Sequence, residues 1–171
     1  MFSLLSYMLD IISKHIRLLT TDFTQSNHPW KKVSKWAGYT GILYLMPIFF
    51  INSNNLYSNI YQLLWVIQTA FVLASDYGWG GPTPHILHGI DRLLATCMVL
   101  STIIITSLYL NPAFVIIGSL IPLYFVYQSM VAAKENNWNK YVLNHTLWHI
   151  TGPIIVSYAL YKIQLTHSLF E

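Results

Sequence analysis

Two histidines, His145 and His149, stand four residues apart in NHTLWHITG, within an otherwise apolar segment. On a helix, positions i and i+4 stack on one face. That spacing suits two ligands of one metal ion. Zinc takes neutral imidazole readily, and catalytic zinc sites use three protein ligands with a water in the fourth position. Further polar residues sit at the ends of other apolar runs. Ser75 and Asp76 close one run, and His85, His88 and Asp91 open the next. His88 and Asp91, at i and i+3, share a face. His88 could complete the zinc shell, with His85 as the rival third ligand and Asp76 as a more distant one. Asp91 could hold the water or orient a histidine. Water on such a metal is a usable nucleophile near neutral pH. Asp91 or Asp76 could act as general base, and Ser75 could hydrogen-bond a developing oxyanion.

Each of these residues also has a plainer role open to it. H-x-x-x-H is common on helices, and paired histidines in membrane helices also serve as axial haem ligands. Asp91 beside Arg92 could be an ion pair at a helix start, where a carboxylate suits the macrodipole. His85 follows Pro84 and could be an ordinary loop residue. Ser75 could bond a backbone carbonyl. His15, His28 and His167 lie outside the cluster.

The elements that must position these groups follow from composition. Hydrophobic residues make up 54% of the 171, charged residues only 9%, and the mean hydropathy is +0.47. A soluble domain carries about 25% charge. So few charges cannot cover a soluble surface of this size, which implies an integral membrane protein with lipid neighbours and no nucleic-acid partner. Aromatic residues reach 15%, as expected where Trp and Tyr anchor at the interfaces. The single cysteine, Cys97, permits no intramolecular disulfide.

The expected fold is all-α: a polytopic membrane bundle of about five transmembrane helices, preceded by an N-terminal amphipathic helix. Residues 1–36 form the amphipathic and basic segment, and 37–171 the helical domain. Leu5, Met8, Leu9, Ile12, Ile16 and Leu19 recur at spacings of three and four, opposite Asp10, Lys14 and Arg17. That pattern predicts a helix lying on the membrane surface and not a cleavable signal. Five apolar runs follow, at about 37–51, 57–75, 88–110, 112–130 and 143–163, each near the roughly 20 residues a spanning helix needs. DYGWGGPTP, with three glycines and two prolines, breaks the pattern after Asp76.

With five spans, eight of the nine lysines and arginines fall on or near one side, and only Lys162 on the other. The positive-inside rule then puts the N-terminus in the cytoplasm and the C-terminus outside. The same count brings Ser75, Asp76, His85, His88, Asp91, His145 and His149 to the cytoplasmic face. Ionisable residues at membrane depth usually face a bundle interior and mark function.

NHTLWHITGPIIVSYALY resembles the last transmembrane helix of the alkaline ceramidases, within the CREST superfamily of membrane hydrolases. His145, Trp148, His149 and Gly152 match that helix. Ser75 and Asp91 match the family's serine and aspartate in order and approximate spacing. The resemblance implies three zinc-bound histidines at the cytoplasmic face and hydrolysis of an amide in a lipid. It covers about the last half of the chain. The family has seven spans against five here, and the position of its third zinc-binding histidine is Trp79 in this sequence. The expected activity is thus zinc-dependent hydrolysis of a lipid amide. The alternatives are a non-catalytic subunit or scaffold among membrane protein partners, and a haem-binding membrane protein.

Overall fold

The computed structural model describes residues 35–51, 56–76 and 85–166, and their side chains apart from those of 85–89. These residues are helical, with no strand among them. The elements are α1 (Lys35–Gly41), a 3-10 helix (Ile42–Phe50), α2 (Leu56–Asp76), α3 (His85–Tyr109), α4 (Pro112–Lys134) and α5 (Trp138–Thr166). The amphipathic helix expected over residues 1–20 lies outside the described residues.

Three helical stretches are long and apolar enough to cross a membrane: Leu56–Asp76, Ile90–Tyr109 and Pro112–Lys134. The longest helix, α5, is not among them and carries Asn144, His145 and His149 in its first half. The apolar run at 37–51 is not one continuous α-helix, because it changes to 3-10 geometry after Gly41. Pro47 lies inside the 3-10 stretch. Its ring would clash with the carbonyl four residues back in an α-helix, and it has no N–H to donate. The tighter winding also lengthens the run. Seven residues at 1.5 Å and nine at 2.0 Å reach about 28 Å, close to the hydrocarbon thickness of a bilayer.

Three residues per turn puts every third side chain on one line. Gly41, Tyr44 and Pro47 are all buried, and Phe50 follows on the same line, packed against the core. The line faces α2. A Cβ at Gly41 would lie 2.6 Å from Val72 Cγ1, so only glycine permits this approach. The core joins Tyr44 and Ile51 to Tyr61, Trp65 and Val72 of α2, Met98 of α3 and Leu160 of α5. α1 and the 3-10 helix therefore sit between α2 and α5, touching both.

α4 and α5 form the most extensive helix pair. Asn111 caps α4, its Oδ1 accepting from Ala113 N at 2.9 Å. The tight turn into α5 puts Asn136 in the left-handed region, at φ 53°. Asn137 Oδ1 then accepts from Lys140 N at 3.1 Å, satisfying a donor of the first turn of α5. A further link ties α2 to α3, where the Tyr61 and Thr102 hydroxyls meet at 2.6 Å in the interior.

Candidate metal centre

Asp76 ends α2, and its carboxylate meets the histidine pair of α5. Asp76 Oδ2 lies 3.1 Å from His145 Nε2 and 3.3 Å from His149 Nε2. One ligand atom from each of the three residues falls within 4.8 Å of the others. The imidazole centroids are 4.5 Å apart, as expected for i and i+4 on one face. Asp76 and His149 are almost fully buried, and the side chain of His145 is 16% exposed. The group could hold a metal ion.

Backbone geometry sets the tautomer of His149. Its Nδ1 lies 3.0 Å from the carbonyl oxygen of Ala37 on α1. A carbonyl only accepts, so Nδ1 carries the hydrogen, and in neutral imidazole Nε2 is left as a bare lone pair. That lone pair points at a carboxylate oxygen. The distances bear on what lies between them. A charge-assisted N–H···O⁻ bond is about 2.7–2.9 Å, shorter than either contact here. Two ligands of one tetrahedral zinc, each about 2.0–2.1 Å from the metal, lie about 3.3 Å apart. The spacing of 3.1 and 3.3 Å is compatible with shared coordination, and the 3.1 Å contact is equally within the range of a direct hydrogen bond between His145 and Asp76. The donor set thus fits the zinc expected from the sequence. It also suits other divalent metals that accept two imidazoles and a carboxylate.

Aromatic rings hold the imidazoles in place. Tyr141 stacks on His145 with centroids 5.2 Å apart and planes at 16°. Tyr44 meets His149 at 5.4 Å and 88°. Pro153 lies four residues after His149 and has no N–H for its carbonyl. The regular ladder of α5 is therefore interrupted at the ligand itself.

Asp91, near the start of α3, forms a second polar group beside the first. Its Oδ1 accepts from Gln68 Nε2 at 2.8 Å and its Oδ2 from Ser75 Oγ at 3.1 Å. The Ser75 hydroxyl also lies 3.3 Å from Val72 O. A hydroxyl has one proton, and these acceptors engage it. In this arrangement the Ser75 hydroxyl orients Asp91.

The residues singled out in the sequence divide accordingly. Asp76, His145 and His149 come together as one possible ligand set, and Ser75 and Asp91 come together beside it. His85 and His88 belong to the first turn of α3, and their side chains lie outside the described residues, as does Trp79. Three participants carry no mark in the motif spacing: Gln68, the Ala37 carbonyl and Tyr44. Gln68 had a usable signal, because it lies seven residues before Ser75 on α2. Two helical turns put both on one face, and a glutamine in a run this apolar needs a polar partner. The Ala37 carbonyl is backbone, and Tyr44 is one of twelve tyrosines. No signal picks out either. No family model, no curated protein and no solved structure matches this chain.

Proposed function

We propose that the chain is a zinc-dependent hydrolase of lipid amides, with its site at the cytoplasmic face of a membrane. The observation that carries this reading is the convergence of Asp76, at the end of the apolar helix α2, with His145 and His149 in the first half of α5, with the carboxylate of Asp91 held alongside. Zinc, when bound, supplies a Lewis acid and acidifies a water. The chain's own groups supply the rest. His145, His149 and Asp76 bind. The Ala37 carbonyl fixes the His149 tautomer. Asp91 is the carboxylate outside the ligand set, suited to take a proton from the attacking water and return it to the leaving amine. Gln68 and Ser75 keep both of its oxygens in place.

A lipid substrate is supported by an apolar groove between α3, α4 and α5. Val99, Ile103, Phe114, Ile155 and Val156 line it, and it encloses about 60 Å³. Trp148 lines it too, next in sequence to His149. The cytoplasmic placement rests on the charge distribution. On a count of five spans, eight of the nine basic residues would fall on the side where α2 ends and α3 and α5 begin. The ceramidase-like pattern of His145, Trp148, His149 and Gly152 agrees with an amide as the bond cleaved. Haem ligation fits poorly, because two imidazoles on one helix with centroids 4.5 Å apart leave no room for a macrocycle between them.

The test is metal analysis joined to a lipid assay. Protein purified from membranes should carry about one zinc per chain, lost in His145→Ala. In vesicles containing N-acyl sphingoid lipids it should release fatty acid, and Asp91→Asn should abolish release while keeping the metal. Folded protein that takes up no metal would make Asp76, His145 and His149 a packing cluster, and the chain a structural membrane subunit.

A further inference from the structure

The two imidazoles of the candidate centre are held by different means. A histidine ring turns about its Cβ–Cγ bond in a broad, roughly two-fold well, so the side chain alone does not aim a ligand nitrogen. A metal-ligating histidine usually gains its aim from a hydrogen bond at the other ring nitrogen. His149 has that restraint, in the Ala37 carbonyl 3.0 Å from Nδ1. For His145, the hydrogen-bond contact among the described residues is that of Nε2 with Asp76, on the ligand side of the ring. Its plane needs another restraint.

The restraint present is a column of rings along one face of α5. Trp138, Tyr141, His145 and His149 follow one another at spacings of three, four and four, which keeps them in line on a helix. Tyr141 lies nearly parallel to His145, with planes at 16° and centroids 5.2 Å apart. Trp138, the first residue of α5, lies behind Tyr141 at 5.9 Å and 23°. Both separations fall within the range of offset-stacked pairs. Tyr141 is itself 8% exposed, so its ring is enclosed. A stacked neighbour fixes the plane of a ring and not which edge leads, because a half-turn keeps the plane. Asp76, 3.1 Å from Nε2, makes that second choice.

We propose that Tyr141 is a positioning residue of the metal centre, holding the plane of His145 so that Nε2 faces the ion. Trp138 backs Tyr141 in this role. The inference rests on the metal reading above and extends the centre from its three ligands to the first turn of α5. The flat ring of Tyr141 does the holding, and its hydroxyl has no part in it. One ligand is thus aimed by a backbone hydrogen bond and the other by a stack.

The experiment uses the full chain in detergent micelles, with cobalt(II) as a visible probe and a chelator as competitor. Tyr141→Leu keeps apolar bulk and removes the plane. Cobalt should bind about three- to tenfold more weakly, and the visible bands of the bound ion should shift. Tyr141→Phe keeps the flat ring and should restore both affinity and bands. Equal affinity in Tyr141→Leu and wild type overturns the proposal. Weaker binding with unmoved bands overturns it too, since Tyr141 would then serve packing alone. Tyr141→Phe as weak as Tyr141→Leu likewise overturns it, because the hydroxyl would be the acting group. Should Tyr141→Leu fail to fold, Trp138→Leu decides. It leaves Tyr141 and removes only the ring behind it, so cobalt should weaken by a smaller factor with a shift of the same bands, and an unchanged affinity and spectrum overturn the proposal. A folded wild-type protein that gives no cobalt spectrum overturns the metal reading itself, which distinguishes the two failures.

Discussion

The carbonyl oxygen of Ala37 lies 3.0 Å from Nδ1 of His149, across 112 residues of sequence. Through this contact a short helix that bears no ligand decides which nitrogen of His149 faces Asp76. The Asp76 carboxylate and the bare Nε2 of His149 then form a pair of acceptors beside His145, an arrangement that suits a cation. Asp76→Asn tests this at nearly constant volume. It removes the negative charge and offers an amide with a much weaker metal-binding oxygen. Metal affinity, measured by competition with a chelator, should fall by more than the roughly 10–100-fold that losing an outer partner of a ligand costs. Were Asp76 only a hydrogen-bond partner of two histidines in a metal-free cluster, metal content would be zero before and after. The thermal midpoint alone would move.

Asp91 gives a contrasting expectation. Gln68 donates to one of its oxygens at 2.8 Å and Ser75 to the other at 3.1 Å, and neither donor touches the histidines in the described contacts. Gln68→Leu leaves a partly buried carboxylate oxygen without its donor, at a cost of about 1–3 kcal/mol. Ser75→Ala removes a weaker donor and should cost less. Both variants should keep full metal content and lose lipid amidase activity, with Gln68→Leu the more severe. Loss of metal in Gln68→Leu would show that Asp91 belongs to the ligand set and does not stand beside it.

How far the sequence foretold these contacts depends on their range. His145 and His149 share one helix, so a period of 3.6 residues suffices to place them together, and the charge count brought Asp76 and Asp91 to the same end of the bundle. Contacts between helices need a register that periodicity does not supply. Asp76 is the carboxylate that meets both histidines, yet of the candidate third ligands it stands farthest from them in sequence, and spacing does not register one helix against another. The change to 3-10 winding after Gly41 was also hidden. Gly38, Gly41 and Pro47 could mark a kink, a break or a close approach, and only the packing against Val72 decides among them.

That packing makes Gly41→Ala informative. The added Cβ would lie 2.6 Å from Val72 Cγ1, a residue 1% exposed that has no room to retreat. Overpacking of this kind costs about 1–3 kcal/mol, to be read as a lower thermal midpoint in detergent. Val72→Ala removes the obstructing methyl groups. The double variant should therefore be more stable than the sum of the single effects allows, since the two positions touch. A second readout follows from the connection to the site. α1 carries Ala37, so pushing the 3-10 helix off α2 should also weaken metal binding. In the double variant metal binding should recover.

Membrane placement of α3 can be checked with the native chain, because it holds one cysteine. Cys97 is exposed on α3, within the apolar stretch Ile90–Tyr109 and about 10 Å along the axis from its start. Leu93, Leu100 and Ile104 on the same helix are also exposed, at 56–63%. In water that exposure would make the thiol reactive. In hydrocarbon a charged maleimide does not reach the thiol, because burying its charge there is too costly. In intact membranes Cys97 should therefore resist a charged, membrane-impermeant maleimide applied to both faces. It should react fully once the protein is unfolded in dodecyl sulfate. Rapid labelling in intact membranes would place this face of α3 in water. The exposed leucines would then have to pack on protein, and α3 would cease to count as a span.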